Sequence, residues 1–181
     1  MNNENQQSTH GLNLLYTGNG KGKTTAALGL MFRAWGDQLS VGCIQFIKSS
    51  DHVKGEKEAC LKLGIPFESL GKGFVFSTFN AALHEEAARH AWEVTRETIL
   101  SRKLDLLVLD EITYLFNYNW LDTDLFIDWI KANKPSSMHL VMTGRNAPQK
   151  LIDFADMVTE VREIKHHHKE LGIPAQIGIE Y

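Results

Sequence analysis

The densest run of chemically capable residues is Thr17-Gly18-Asn19-Gly20-Lys21-Gly22-Lys23-Thr24-Thr25. Its glycines allow successive backbone N–H groups to turn inward on phosphate oxygens, and a helix opening behind it adds the positive end of its dipole. Lys23 supplies a point charge to the same phosphates. Thr24 offers a hydroxyl to a divalent cation that would polarise them. The Gly-Lys-Thr ending is that of a P-loop, yet Thr17 stands where the motif usually has its first glycine. The loop therefore predicts nucleotide binding without being a standard hydrolase loop. The bland alternative, a glycine-rich turn with no ligand, is disfavoured by the apolar run before it and the helical pattern after it.

A second acidic element follows at Asp110-Glu111, at the carboxyl end of an apolar run over residues 104–109. Ligands bind at that end of strands in open α/β sheets, and a cation held by the loop needs an acid there. Because neighbouring strand residues point to opposite faces, one acid is expected to orient loop groups and the other to meet the cation or its water. Lys23, Asp110 and Glu111 are the catalytic candidates, and Thr24 with one of the two acids is the candidate metal pair. An acid pair that merely stabilises a helix N-terminus is the competing reading.

Other chemistry-bearing residues carry weaker signals. His166-His167-His168 are consecutive, so they cannot all face one ion in regular structure, and a solvated loop is the expectation. Tyr114, Tyr118 and Trp120 follow the acids and read as packing before substrate contact. Phe74 and Phe76, two apart, read on their own as one face of a short strand.

The elements needed to place these groups are legible as period and punctuation. Residues 12–16 and 40–47 read as buried strands around a helix over 24–35, which makes a βαβ opening. Residues 51–63 are charged and helical, Gly64-Ile65-Pro66 break the pattern, and a short stretch follows at 67–70. Over 80–101, Leu83, Ala87, Ala91, Val94 and Thr98 recur at helical spacing opposite Glu85, Arg89, Glu93 and Glu97. Residues 104–109 and 138–143 are further strands, and 158–164 suggests a fifth. Alternating strands and helices predict an α/β fold, a largely parallel sheet with right-handed crossovers.

Composition narrows the partners. The chain has 181 residues, 43% hydrophobic, with 19 basic and 22 acidic side chains and a net charge of -3. That is one domain's length, with no electrostatic footprint for nucleic acid or anionic membrane, so small molecules or protein are the expected partners. Cys43 and Cys60 form neither a disulfide framework nor a zinc site by themselves, which suits a reducing compartment. Residues 1–10 are polar, without the apolar core of a signal peptide, and read as a flexible N-terminal segment before a domain over 11–181. A cytoplasmic enzyme without a membrane partner is the expectation.

The loop at 17–25, the run Gln45-Phe46-Ile47-Lys48, the strand end Val108-Leu109-Asp110-Glu111 with Thr113-Tyr114, the turn Thr143-Gly144-Arg145 and the closing Ala175-Gln176-Ile177-Gly178-Ile179-Glu180-Tyr181 together resemble the corrinoid adenosyltransferases of the CobA/BtuR type. The resemblance runs in order from about Gly11 to Tyr181. It implies a single P-loop NTPase-like, RecA-like domain that transfers the 5′-deoxyadenosyl group of ATP to Co(I) of cobalamin or another corrinoid and releases tripolyphosphate. It also implies Mg2+, a homodimer, and a reduced flavin or flavodoxin-like electron donor. In such enzymes the nucleotide lies in the loop in the reverse sense, compatible with Thr17. Carried over, Gly18, Asn19, Gly20, Lys21, Gly22, Lys23, Thr24 and Thr25 hold ATP, and Thr24 and Glu111 hold the metal. Phe74 and Phe76 match the aromatic pair that displaces the lower axial ligand of the corrinoid, with Phe76 where tryptophan is common. Arg33, Gln45, Lys48, Arg145 and Lys165-His166 also match family positions. A P-loop ATPase or small-molecule kinase, and a nucleotide or corrinoid sensor without turnover, remain the alternative readings.

Overall fold

The computed structural model describes residues 10–48, 55–73 and 81–179. Six strands form one all-parallel sheet in the order β3-β2-β4-β5-β1-β6: β1 (Asn13–Thr17), β2 (Val41–Gln45), β3 (Phe67–Ser69), β4 (Leu106–Asp110), β5 (His139–Thr143) and β6 (Met157–Glu160). Every residue of β2 and β4 is buried, as continuous apolar runs between two helical layers must be. The short stretch at 67–70 adds an edge strand, and the suggested strand at 158–164 is shorter and begins at Met157.

The period of two sorts each strand between two cores. Leu106 and Val108 face a cluster with Ala27, Leu28 and Met31 of α1 (Lys23–Gly36) and Cys60 of α2 (Gly55–Lys62). Leu107 and Leu109 face the other cluster, formed with Ala88, Ala91 and Ile99 of α3 (Ala81–Leu100), Leu115 and Phe116 of α4 (Thr113–Asn117), Phe126, Ile127 and Ile130 of α5 (Thr123–Asn133) and Leu151 of α6 (Gln149–Phe154). Asp110 continues the parity of Leu106 and Val108, which aims it at α1. α7 (His167–Leu171) lies after β6.

The helices depart from the sequence expectation: α4, α5, α6 and α7 have no counterpart in the pattern read above, and α7 begins at His167, where a solvated loop is expected. The buried stripe of α3 is His84, Ala87, Ala88, Ala91, Thr95 and Ile99, rotated from the expected one, and Leu83 is 48% exposed. Alanines let the helix sit close to the sheet, and the buried Thr95 hydroxyl is satisfied by donating to the Ala91 carbonyl at 2.8 Å. α5 was not foreseen at all. Asp122 caps it, its Oδ1 accepting from the Asp124 and Leu125 N–H groups at 2.9 and 3.0 Å, an arrangement worth about 1 kcal/mol. Among the described residues no helix is long and apolar enough to cross a membrane.

Phe126 is fully buried and touches both Trp92 and Phe116, whereas its neighbour Leu125 is 68% exposed. Phe126→Ala is expected to cost about 3–5 kcal/mol in chemical denaturation. Leu125→Ala is expected to stay within about 0.5 kcal/mol of the parent.

Candidate active site at the carboxyl edge of the sheet

The register of the sheet lays a polar row across its carboxyl edge. Ser69 pairs with Gln45 and Gln45 with Asp110, while Thr143 follows Met142, the partner of Leu109. Asp110 is fully buried and accepts three hydrogen bonds. Thr24 Oγ1 and Thr143 Oγ1 donate to its Oδ1 at 2.8 and 2.7 Å, and Gln45 Nε2 donates to its Oδ2 at 2.9 Å. Ser69 Oγ donates in turn to Gln45 Oε1 at 3.2 Å, fixing the amide's orientation. A carboxylate taken from water needs such donors, each worth about 1.5–3 kcal/mol when the acceptor is charged.

Glu111 is built differently. It leaves β4 in the left-handed region at φ 64, a strained conformation for a residue with a Cβ, and its N–H donates to Thr143 Oγ1 at 2.9 Å. Burial and the neighbouring Asp110 charge raise its pKa to about 7, against the opposing pull of Lys48, Lys23 and Arg145. The acids thus divide as their opposite strand parity suggests: Asp110 ties elements together, and Glu111 stands beside it with a carboxylate disfavoured by its surroundings.

The loop hangs between β1 and α1. Thr17, in place of the usual glycine, ends β1, accepting from the Val161 N–H at its carbonyl (2.8 Å) and from the Ala147 N–H at its hydroxyl (3.3 Å). The turn comes one residue later, at Gly18 with φ 96, where a Cβ would sit 2.5 Å from the Val161 carbonyl oxygen. Gly22 enters α1 with φ 107 and no side-chain cap, and the helix has no acid in its first turn, so its N–H groups meet no competing carboxylate from within the helix. Lys23 folds back to donate to the Gly20 carbonyl at 2.6 Å; burial, then Arg145, lowers its pKa, while Glu111 and Asp110 oppose the shift. Thr24 gives its hydrogen to Asp110, which leaves oxygen lone pairs for a cation.

Of the other family-matched residues, Gln45, Lys48 and Arg145 are brought to this edge. Burial works to lower the Lys48 pKa, but Asp110, Glu56 and Glu111 together raise it, and its ammonium lies 3.7 Å from Glu56. Arg33 is not brought here: it lies in the last turn of α1, about 15 Å along the axis from Lys23. His166 caps α7 through Nδ1, accepting from the His168 N–H at 3.2 Å, and stacks on His167; no group of three or more His, Cys, Asp or Glu fit to hold a metal occurs among the described residues. Tyr114, Tyr118, Trp120 and His84 form a continuous stack, in line with packing. Phe74 and Phe76 lie outside the described residues. Ser69 was missed in the sequence, where a lone serine after Glu68 carries no signal.

Asp110→Asn offers an amide donor to a site filled by three donors and is expected to lower thermal unfolding stability by about 2–4 kcal/mol. Glu111→Gln tests the second acid. Its raised folded pKa contributes stability below the ordinary carboxylate range, lost as pH rises through about 7. In metal-free buffer, stability of the parent should therefore fall relative to Glu111→Gln between roughly pH 4.5 and 7.

Residues 9–181 match the family described as ATP:corrinoid adenosyltransferase BtuR/CobO/CobP. The chain is 35% identical to the corrinoid adenosyltransferase of Escherichia coli over 175 residues, covering 97% of this chain and 88% of that protein. It is 36% identical to corrinoid adenosyltransferase CobA of Salmonella typhimurium over the same shares. The fold is also similar to that of the flagellar accessory protein FlaH from Methanocaldococcus jannaschii, with a TM-score of 0.58 over 83% of this chain and 71% of that one; at 12% identity the likeness concerns the fold alone. A family match spanning nearly the whole sequence, on a parallel sheet whose carboxyl edge holds the loop and both acids, places this chain in the ATP:corrinoid adenosyltransferase family.

Proposed function

We propose that this chain transfers the 5′-deoxyadenosyl group of ATP to the cobalt of a reduced corrinoid and releases tripolyphosphate, in adenosylcobalamin biosynthesis or salvage. The observation that carries the reading is the tie from Thr24 to Asp110 beside Glu111, in a chain of this family. The Co(I) electron pair forms a bond to C5′, the C5′–O bond breaks, and its pair leaves with the triphosphate. The protein's work is then to align the two reactants and stabilise charge on the leaving group, with no protein nucleophile or general base.

In this reading residues 18–25 hold the phosphates and Lys23 supplies charge. Asp110 is a positioning residue that orients the Thr24 hydroxyl. Thr24 and Glu111, both oxygen donors, fit a hard cation such as Mg2+, and a cation there would favour the carboxylate that burial and Asp110 disfavour. Such an ion would polarise the phosphate oxygens. By family resemblance Phe74 and Phe76 form the corrinoid wall. A homodimer, a reduced flavin or flavodoxin-like donor and a cytoplasmic setting complete the proposal.

Hydrolysis or phosphoryl transfer uses the same loop and acids, so products decide. With ATP, Mg2+ and chemically reduced cob(I)alamin under anaerobic conditions, the expected products are adenosylcobalamin and tripolyphosphate; ADP with phosphate or with a phosphorylated acceptor would sink the proposal. Lys23→Ala is expected to weaken ATP binding on the order of ten- to a hundredfold by calorimetry.

A further inference from the structure

A pocket of about 440 Å³ opens beside the phosphate loop, lined by Asn19, Arg145, Glu160, Arg162, Glu163 and Lys169. Three cations face two carboxylates there, and Glu163 is already engaged by Lys169. The guanidinium groups of Arg145 and Arg162 make no hydrogen bond or ion pair with any described residue. Both are nevertheless carried on fixed backbone. The Arg145 carbonyl accepts from Thr113 Oγ1 at 2.8 Å and Asn117 Nδ2 at 3.0 Å. Next to Arg162, Val161 exchanges hydrogen bonds with the loop, its N–H donating to the Thr17 carbonyl and its carbonyl accepting from the Gly20 N–H, each at 2.8 Å. A Cβ on Gly20 would stand 2.8 Å from the Arg162 carbonyl, so the loop lies directly on the segment that bears this arginine.

Two planar forks on anchored backbone, opening on a phosphate loop, suit a phosphate group that the loop itself does not enclose. We infer that this pocket is a second polyphosphate subsite, in which Arg162 together with Arg145 grips one end of the triphosphate, both in bound ATP and in the departing tripolyphosphate. Arg162 is thereby assigned as a ligand-contacting residue, supplied by the connection between β6 and α7. The inference rests on the proposed adenosyl transfer only for the identity of the leaving group.

The test is calorimetric titration of the full chain with tripolyphosphate and Mg2+. Arg162→Gln, a change at an exposed side chain, is expected to weaken binding on the order of tenfold with an unchanged circular dichroism spectrum. Arg162→Lys should recover part of the loss, since an ammonium restores charge but not the fork. Lys62→Gln, the same charge change in the last turn of α2, controls for long-range electrostatics and should bind like the parent. Parent-like affinity in Arg162→Gln, or an equal loss in Lys62→Gln, overturns the subsite. Formation of adenosylcobalamin by the parent is scored separately: its absence refutes the proposed transfer and leaves the subsite standing, whereas parent-like affinity in Arg162→Gln refutes the subsite and leaves the transfer standing.

Discussion

A fully buried carboxylate at the carboxyl end of β4 must be surrounded by donors, and Asp110 recruits them from three separate elements. Thr24 comes from the start of α1, Gln45 from the end of β2 and Thr143 from the end of β5. Losing water costs a carboxylate several kcal/mol, and only this set of partners offsets it. The same bonds set the distance between the phosphate loop and the sheet edge. Thr143 extends the network, since the hydroxyl that donates to Asp110 also accepts from the Glu111 N–H and so fixes where the second acid leaves the strand.

The division between the acids follows from these surroundings. Asp110 has its oxygens satisfied by fixed donors and is committed to architecture. Glu111 is strained, partly buried and next to a like charge, so its ionised form gains from any cation brought to the site. Asymmetry of this kind lets two adjacent carboxylates serve different ends on one strand terminus. Thr17 follows similar logic: a threonine can end β1 because the left-handed turn is shifted to Gly18, and its hydroxyl then helps hold the segment after β5.

Much of this was legible in the sequence. The loop, the strand before it, the helix after it and the two acids are local patterns, and the period of two already separates the roles of Asp110 and Glu111. The α3 stripe is not legible in the sequence because Leu83 fits a helical period as a core residue would; packing against the sheet instead favours the small Ala87, Ala88 and Ala91 side by side. α5 was missed because Asp122 reads as a cap only when Phe126, Ile127 and Ile130 are known to face a core. The pocket of Arg145 and Arg162 depends on β1 lying between β5 and β6, a long-range order that no local pattern encodes. Arg33 matched the family in sequence but lies at the far end of α1.

The central claim concerns which bond of ATP breaks, and isotope position reads it directly. In ATP carrying 18O at the bridge between C5′ and the α-phosphorus, attack at carbon sends the label into tripolyphosphate, and attack at phosphorus by water leaves it on the nucleoside. Incubated with the protein, Mg2+ and cob(I)alamin, the labelled ATP is predicted to yield tripolyphosphate that retains the 18O, by mass spectrometry. Unlabelled polyphosphate, with the 18O on adenosine, would contradict the account.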